Sequence, residues 1–184
     1  MSDRTLESLW QKHGTDKYLH WYLPFYESIL KDIDVKSLLE IWVLRGDSLR
    51  MRRDYFPNAT IVGVDINKPI EIPWCVILKS DATTVEFANM IGNFDIIIDD
   101  GGHRVSQQRK SFENLWNHTN KLYIIEDICC SFRDKYIDEK VTMYEHIKKW
   151  CEVEWVQYKE FRKTGKPGYD PGTLVLYKPH ASSS

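Results

Sequence analysis

Phe94-Asp95-Ile96-Ile97-Ile98-Asp99-Asp100-Gly101-Gly102-His103 is a short apolar run closed by two acids, a glycine pair and a histidine. A run apolar on both faces is how a strand of a parallel sheet reads, because helices cover such a sheet on either side. Directly after it, Arg104–His118 carries Val105, Phe112, Leu115 and Trp116 on one stripe, which is the period of a helix. The same alternation extends outward in both directions. Ser37–Val43, Thr60–Ile66, Trp74–Lys79 and Lys121–Glu126 are further Val/Ile-rich runs, and Asp47–Tyr55 and Thr84–Met90 are helical patterns between them.

Strand alternating with helix is the mark of right-handed crossovers and a doubly wound sheet. Before this core, Leu6, Leu9, Trp10 and His13 recur at helical spacing with Gly14 as a stop. Trp21, Phe25 and Ile29, with Tyr22 and Tyr26 beside them, predict a second helix. Beyond the core, a helix is expected along Ile137, Val141, Tyr144, Ile147 and Cys151. Glu152–Phe161 and Thr173–Lys178 then alternate in polarity around the Gly/Pro-rich Arg162–Gly172 loop, as an antiparallel pair. The expected fold is a single α/β domain: a Rossmann-like, doubly wound, seven-stranded, mostly parallel sheet with an antiparallel C-terminal hairpin. That is the architecture of class I methyltransferases. Residues 1–34 are expected as an N-terminal helical lid, 35–179 as the core and 180–184 as a polar tail.

The 184 residues, 42% of them hydrophobic, suffice for one well-buried core. With 25 Lys and Arg against 27 Asp and Glu, the formal charge of -2 offers no basic field for a phosphate backbone, which argues against nucleic acid as a partner. No stretch approaches the roughly 18 apolar residues of a membrane span, so a cytoplasmic protein off the membrane is expected. Cys75, Cys129, Cys130 and Cys151 form no C-x-x-C pair and read as reduced thiols.

In open α/β sheets, ligands bind beyond the carboxyl ends of the strands. After the first run comes Glu40-Ile41-Trp42-Val43-Leu44-Arg45-Gly46-Asp47-Ser48, where a nucleotide-type cofactor needs small residues for close approach. Only Gly46 meets that need, and an ordinary turn with Asp47 or Ser48 as N-cap fits as well. Asp65 ends the second strand, where a carboxylate can accept two ribose hydroxyls, and Asp81 follows the third. Asp99, Asp100, Glu126 and Asp127 end adjacent strands. Four carboxylates so placed repel one another unless a cation sits among them, and an all-oxygen set suits a hard ion such as Mg²⁺; capping or pairing with Arg104 and Lys121 is the alternative. His103, just before a helix N-terminus, is the candidate general base. His13, His118, His146 and His180 have no such company.

Taken together, these residues resemble the macrolide-sugar O-methyltransferase family, typified by the mycinamicin and macrocin enzymes, with cephalosporin hydroxylase-like proteins as relatives. The resemblance runs through His13-Gly14-Thr15-Asp16-Lys17 with His20, Tyr22 and Tyr26, and through Leu39-Glu40-Ile41 with Gly46 and Ser48-Leu49. It continues in Arg53-Asp54-Tyr55-Phe56-Pro57 and Gly63-Val64-Asp65, and is strongest in Ile98–His103 and Ile125-Glu126-Asp127. It implies that Asp100, Glu126 and Asp127 are Mg²⁺ ligands and that His103 is the base. It further implies that Glu40, Asp65 and Asp81 hold S-adenosylmethionine, with the Gly14–Lys17 turn closing over the site. Thr15, Lys17, Trp42, Gly46, Ser48 and Asp99 complete the expected cofactor side. The implied reaction is methyl transfer to a hydroxyl of a sugar or other small polyol or natural product.

Three positions depart from the family pattern. Trp42 stands where the first glycine of the cofactor loop is expected, Gly102 replaces Ser, and Gln107 sits where relatives often carry a second His. An indole at that loop is expected to narrow the cleft and weaken cofactor binding. The alternative reading is therefore a methyltransferase-fold protein with impaired cofactor binding that serves a binding or assembly role. A nicotinamide oxidoreductase would need a glycine-rich first turn that is missing here. The acceptor pocket is expected from the N-terminal helices and the Arg162–Gly172 loop, and a homo-oligomer is left open.

Overall fold

The computed structural model describes residues 5–15, 17, 22–67, 70–150, 156–160 and 172–178. In chain order these form α1 (Leu6–His13), α2 (Tyr22–Leu30), β1 (Ser37–Ile41), α3 (Asp47–Tyr55), β2 (Thr60–Asp65), β3 (Val76–Lys79), α4 (Val85–Met90), β4 (Phe94–Asp99), α5 (Val105–Leu115), β5 (Thr119–Ile125), α6 (Met143–Trp150), β6 (Val156–Glu160) and β7 (Gly172–Tyr177). The seven strands make one sheet in the order β3-β2-β1-β4-β5-β7-β6. All neighbours are parallel except β7, which runs antiparallel to both β5 and β6. This is the expected doubly wound sheet with its closing antiparallel hairpin. The loop between β6 and β7, Asp16, Trp21, His20, Cys151, His180 and the tail lie outside the described residues.

Strand parity assigns each side chain to one of two apolar layers. Leu38, Ile61, Ile96, Ile98, Leu122 and Ile124 face α1, α2 and α3; Leu39, Ile41, Ile97, Tyr123 and Ile125 face α4, α5 and α6. Burial of such side chains, at about 25 cal/mol per Å² of apolar surface, is what drives the helices onto the sheet. The N-terminal helices are part of this packing, since Leu6, Tyr22, Leu23, Tyr26 and Leu30 are fully buried in the first layer. Glu27 ties three helices by accepting from the Leu6 N–H at 2.7 Å and from the Tyr55 hydroxyl at 2.9 Å.

Helix ends follow local chemistry. Thr5 caps α1 through its hydroxyl, and Gly14 ends it in the left-handed region at φ 67°, where a side chain is strained. Several boundaries differ from the sequence-based expectation by a residue or more, and two of the differences have a clear local cause. β1 stops at Ile41, not Val43, because Trp42 turns to φ 76° and leaves the strand. α6 begins only at Met143. Ile137 and Val141 lie on the connection before it, which is fastened to α5 by Ser106 N–H to Asp138 at 3.1 Å and by an Arg109–Glu139 ion pair at 2.8 Å. Thr142 and Glu145 bond reciprocally at the start of α6, a capping box readable as Thr-x-x-Glu in the sequence. No helix among the described residues is long and apolar enough to cross a membrane.

Candidate active site

The carboxyl ends of β1, β4 and β5 meet along one edge. Register pairs Glu40 with Ile98 and Asp99 with Ile125, so the side chains of Glu40, Asp100 and Glu126 emerge on the same face, toward α2. Asp99 has the opposite parity. It lies buried in the α5 layer, accepting from the Gly101 N–H and the Tyr123 hydroxyl at 3.1 Å each, and burial pushes its carboxyl up to about 7. It lines neither cleft described below.

The acids are held by named donors. The Tyr26 hydroxyl donates to Glu126 Oε1 at 2.5 Å and the Tyr22 hydroxyl to Asp127 Oδ1 at 2.8 Å. Burial and the neighbouring acids raise both phenols well above their ordinary range, so they stay neutral donors. Asp127 sits at φ 54° and opens a short 3₁₀ turn, Ile128–Phe132, with its carboxylate between the Tyr22 hydroxyl and His103. Helical periodicity puts Tyr22 and Tyr26 on α2 but assigns them no role. Their spacing of four, one turn apart on a single face, is the available signal.

The basic partners that the sequence offers these acids are Arg104 and Lys121, but the one that meets them is Lys17, while Lys121 pairs with Asp95. Lys17 is buried, and its ammonium bridges Asp100 Oδ2 at 2.9 Å and Glu126 Oε2 at 2.8 Å. Burial opposes its charge, but Asp100 and Glu126 outweigh that and keep it protonated. Asp100 is nonetheless pushed well above the usual carboxylate range, by burial and then by Glu126 and Asp127 against the pull of Lys17. One ammonium thus does not offset the crowding of the three acids. The donor set, three carboxylates and no thiolate, suits a hard divalent ion. With Lys17 in their midst, however, no group of three or more acids, His or Cys stands in metal-ligating geometry among the described residues.

His103 lies at the same edge, Nδ1 3.9 Å from Asp127 Oδ2. Its ring stacks on Trp42, centroids 6.0 Å apart and planes 10° from parallel, and meets Tyr136 edge-on at 5.6 Å. Trp42 is 37% exposed and does not enter either core layer; its indole stands between two clefts and lines both. One, of about 310 Å³, contains Thr15, Lys17, Glu40, Gly46, Ser48 and Asp100. The other, of about 90 Å³, contains Asp65, Asp81, Gly101 and Gly102. The expected cofactor residues therefore divide into two groups on either side of one indole.

Within the larger cleft, Glu40 is buried and accepts from the Ser48 hydroxyl. Its other oxygen accepts nothing, although Arg52, itself fully buried, lies 3.8 Å away. Arg52 escapes notice in the sequence because it reads as one basic residue of an exposed helix. Gly46 caps α3 at φ 75°, and a side chain there would strike Ile70 and Ile72 within 2.8 Å. The Thr15 carbonyl accepts from the Trp10 indole at 2.8 Å.

In the smaller cleft, Asp65 accepts from the backbone of Val43 at 3.0 Å, Leu44 at 3.3 Å and Asn67 at 2.9 Å. Burial raises its carboxyl, but those N–H groups outweigh burial and hold it below the ordinary value. Asp81 accepts from the Thr83 N–H and hydroxyl. Asp81 keeps free acceptor sites, since a carboxylate has about four and only its Oδ1 is engaged. The Gly102 and Gln107 departures prove to be one: a Cβ at Gly102 would lie 2.5 Å from the Gln107 side chain.

No protein-family model matches the chain. Among curated proteins it is 34% identical to mycinamicin VI 2''-O-methyltransferase of Micromonospora griseorubida, over 69% of this chain and 37% of that protein. It is 32% identical to demethylmacrocin O-methyltransferase of Streptomyces fradiae, over the same shares. The chain thus spans well under half the length of these relatives. Among solved structures it superposes on the MycE methyltransferase from the mycinamycin biosynthetic pathway, in complex with Mg and SAH. That match has a TM-score of 0.74 and 25% identity over 97% of this chain and 56% of the other. The chain has the class I S-adenosylmethionine-dependent methyltransferase fold, and its curated homologues are macrolide and sugar O-methyltransferases.

Proposed function

We propose that the chain is an S-adenosylmethionine-dependent O-methyltransferase acting on a hydroxyl of a sugar or similar small polyol. The observation that carries this is the edge shared by His103, Asp100, Glu126 and Asp127, beside a cleft reaching Glu40 and Gly46. The cofactor would lie along the two clefts. Glu40, Gly46 and Ser48 would take one end and Asp65 and Asp81 the other, with Trp42 between them. Asp100, Glu126 and Asp127 would hold Mg²⁺, which when bound lowers the pKa of a hydroxyl beside it. His103 accepts the acceptor's proton, and Trp42 and Tyr136 fix the ring by contact on its face and edge. Tyr22 and Tyr26 orient Asp127 and Glu126. S-adenosylmethionine, when bound, would supply the methyl group, and the residues of the two clefts would hold it beside the deprotonated hydroxyl.

Titration calorimetry with S-adenosylmethionine, in the presence and absence of Mg²⁺, tests the core of this reading. Binding is expected, with a rise in melting temperature on adding Mg²⁺ that Asp127→Asn abolishes. No S-adenosylmethionine binding by folded protein would overturn it. That result would favour the second reading, a methyltransferase-fold binding or assembly protein, which the position of Trp42 between the clefts supports.

A further inference from the structure

Lys17 is the one buried cation in contact with the acidic cluster among the described residues, and it bonds two of the three acids assigned above to a metal. A divalent ion bonded to Asp100 and Glu126 would need the volume that its Nζ fills. Like charges at bonding distance from the same oxygens repel, so the two cannot share the space. The donor geometry leaves room for a divalent ion: Lys17 bonds two of three crowded acids, and the third, Asp127, has His103 Nδ1 at 3.9 Å.

A second observation shows where the ammonium can go. Lys17 and Glu40 line the same cleft, and Glu40 Oε2, buried with its residue 1% exposed, accepts no hydrogen bond. A buried carboxylate oxygen without a donor is costly, and a donor arriving there removes that cost. The neighbouring Arg52 nitrogens do not supply it. On the α1 side of Lys17, Gly14 sits at φ 67° with nothing within 4 Å of a Cβ there, and the Trp10 indole donates to the Thr15 carbonyl.

We propose that Lys17 sets which cation the cluster takes: its ammonium and a divalent ion are alternative occupants of the Asp100–Glu126 space. Metal entry transfers Lys17 to Glu40 in the cofactor cleft. The proposal rests on the reading of Asp100, Glu126 and Asp127 as a metal site. In the absence of metal, Lys17 occupies the space between Asp100 and Glu126 and is itself tied to the strand ends. Once metal is bound, Lys17 is released from them and the cofactor cleft gains a positive charge beside Glu40.

The test is calorimetric titration of MgCl₂ into the wild type, Lys17→Met and Lys17→Gln, with hydrogen exchange of the wild type with and without Mg²⁺. Removing the competing ammonium is expected to tighten Mg²⁺ binding at least tenfold. In the wild type, Mg²⁺ is expected to speed exchange at residues 14–17. Glu40→Gln, which takes away the charge that receives the ammonium, is expected to weaken Mg²⁺ binding in the wild type and to leave it unchanged with Lys17→Met. Equal or weaker binding by the Lys17 variants, or unchanged exchange at 14–17 on Mg²⁺ binding, overturns the proposal while the metal reading stands. Absence of Mg²⁺ binding from every form overturns both. If neither Lys17 variant folds, the exchange measurement decides alone.

Discussion

The two sides of the cleft are built on opposite plans. Where β1 ends, the backbone itself is under load: Trp42, Leu44 and Gly46 all have positive φ, the first two bear side chains that disfavour it, and both are exposed. Such conformations cost of order 1–3 kcal/mol each. Where β4 and β5 end, only Asp127 is so placed, and the load is electrostatic: acids are packed together and held by Tyr22, Tyr26 and Lys17. Loss of a contact is therefore expected to relieve the first region and damage the second.

The largest effect is expected at His103. His103→Ala should lower methyl transfer by about 10² to 10⁴, the usual scale for acid–base help, with cofactor affinity unchanged. Single-turnover rates with a sugar hydroxyl acceptor measure it, and full activity would make His103 a packing residue. Next is Tyr26→Phe, which leaves a buried Glu126 oxygen without its donor. A loss of about 1–3 kcal/mol in urea unfolding is expected, and an unchanged midpoint would show that the acids are not held as tightly as the contacts imply.

Trp42→Gly should act in the other direction. Glycine adopts φ 76° freely and opens the wall between the clefts, so affinity for S-adenosylmethionine should rise at least tenfold, about 1.4 kcal/mol. Equal calorimetric affinity would mean that the indole does not obstruct the cofactor, and would erase the contrast between the two regions. The smallest effect is expected far from both, at Asp54. The Lys12 ammonium and then His13 hold its carboxyl below the ordinary 3.8, joining α1 to α3. A lowered folded pKa stabilises above the unfolded value and is lost as pH falls through the folded one. Asp54→Asn should thus cost some tenths of a kcal/mol near neutral pH at low salt, and nothing in strong acid, by thermal unfolding.

Much of this architecture is legible in the residues alone. The apolar run Phe94–Asp99 and helix Asp47–Tyr55 have the bounds read from their periods, and the strand-end location of His103, Asp100 and Glu126 follows from the rule for open sheets. Parity carries further still. Asp99 shares the face of Ile97, and Asp100 and Glu126 share the face of Ile98 and Ile124, so the split between one acid in the α5 layer and two on the α2 face is written in the sequence. The late start of α6 is likewise written in Thr142 and Glu145, because capping is local chemistry.

Local preference does not reach across the sheet. Lys17 meets Asp100 and Glu126 over 83 and 109 residues of chain, Tyr22 meets Asp127 over 105, and Trp42 comes to lie on His103. What the sequence by itself determined is which residues stand at strand ends and on which face, since φ/ψ preference and side-chain period are properties of neighbours. Which ends adjoin, and so which ammonium neutralises which carboxylates, only the tertiary structure decided. Pairing of β1 with β4 and of β4 with β5, and the seat of α2 against them, arise from burying both apolar layers at once.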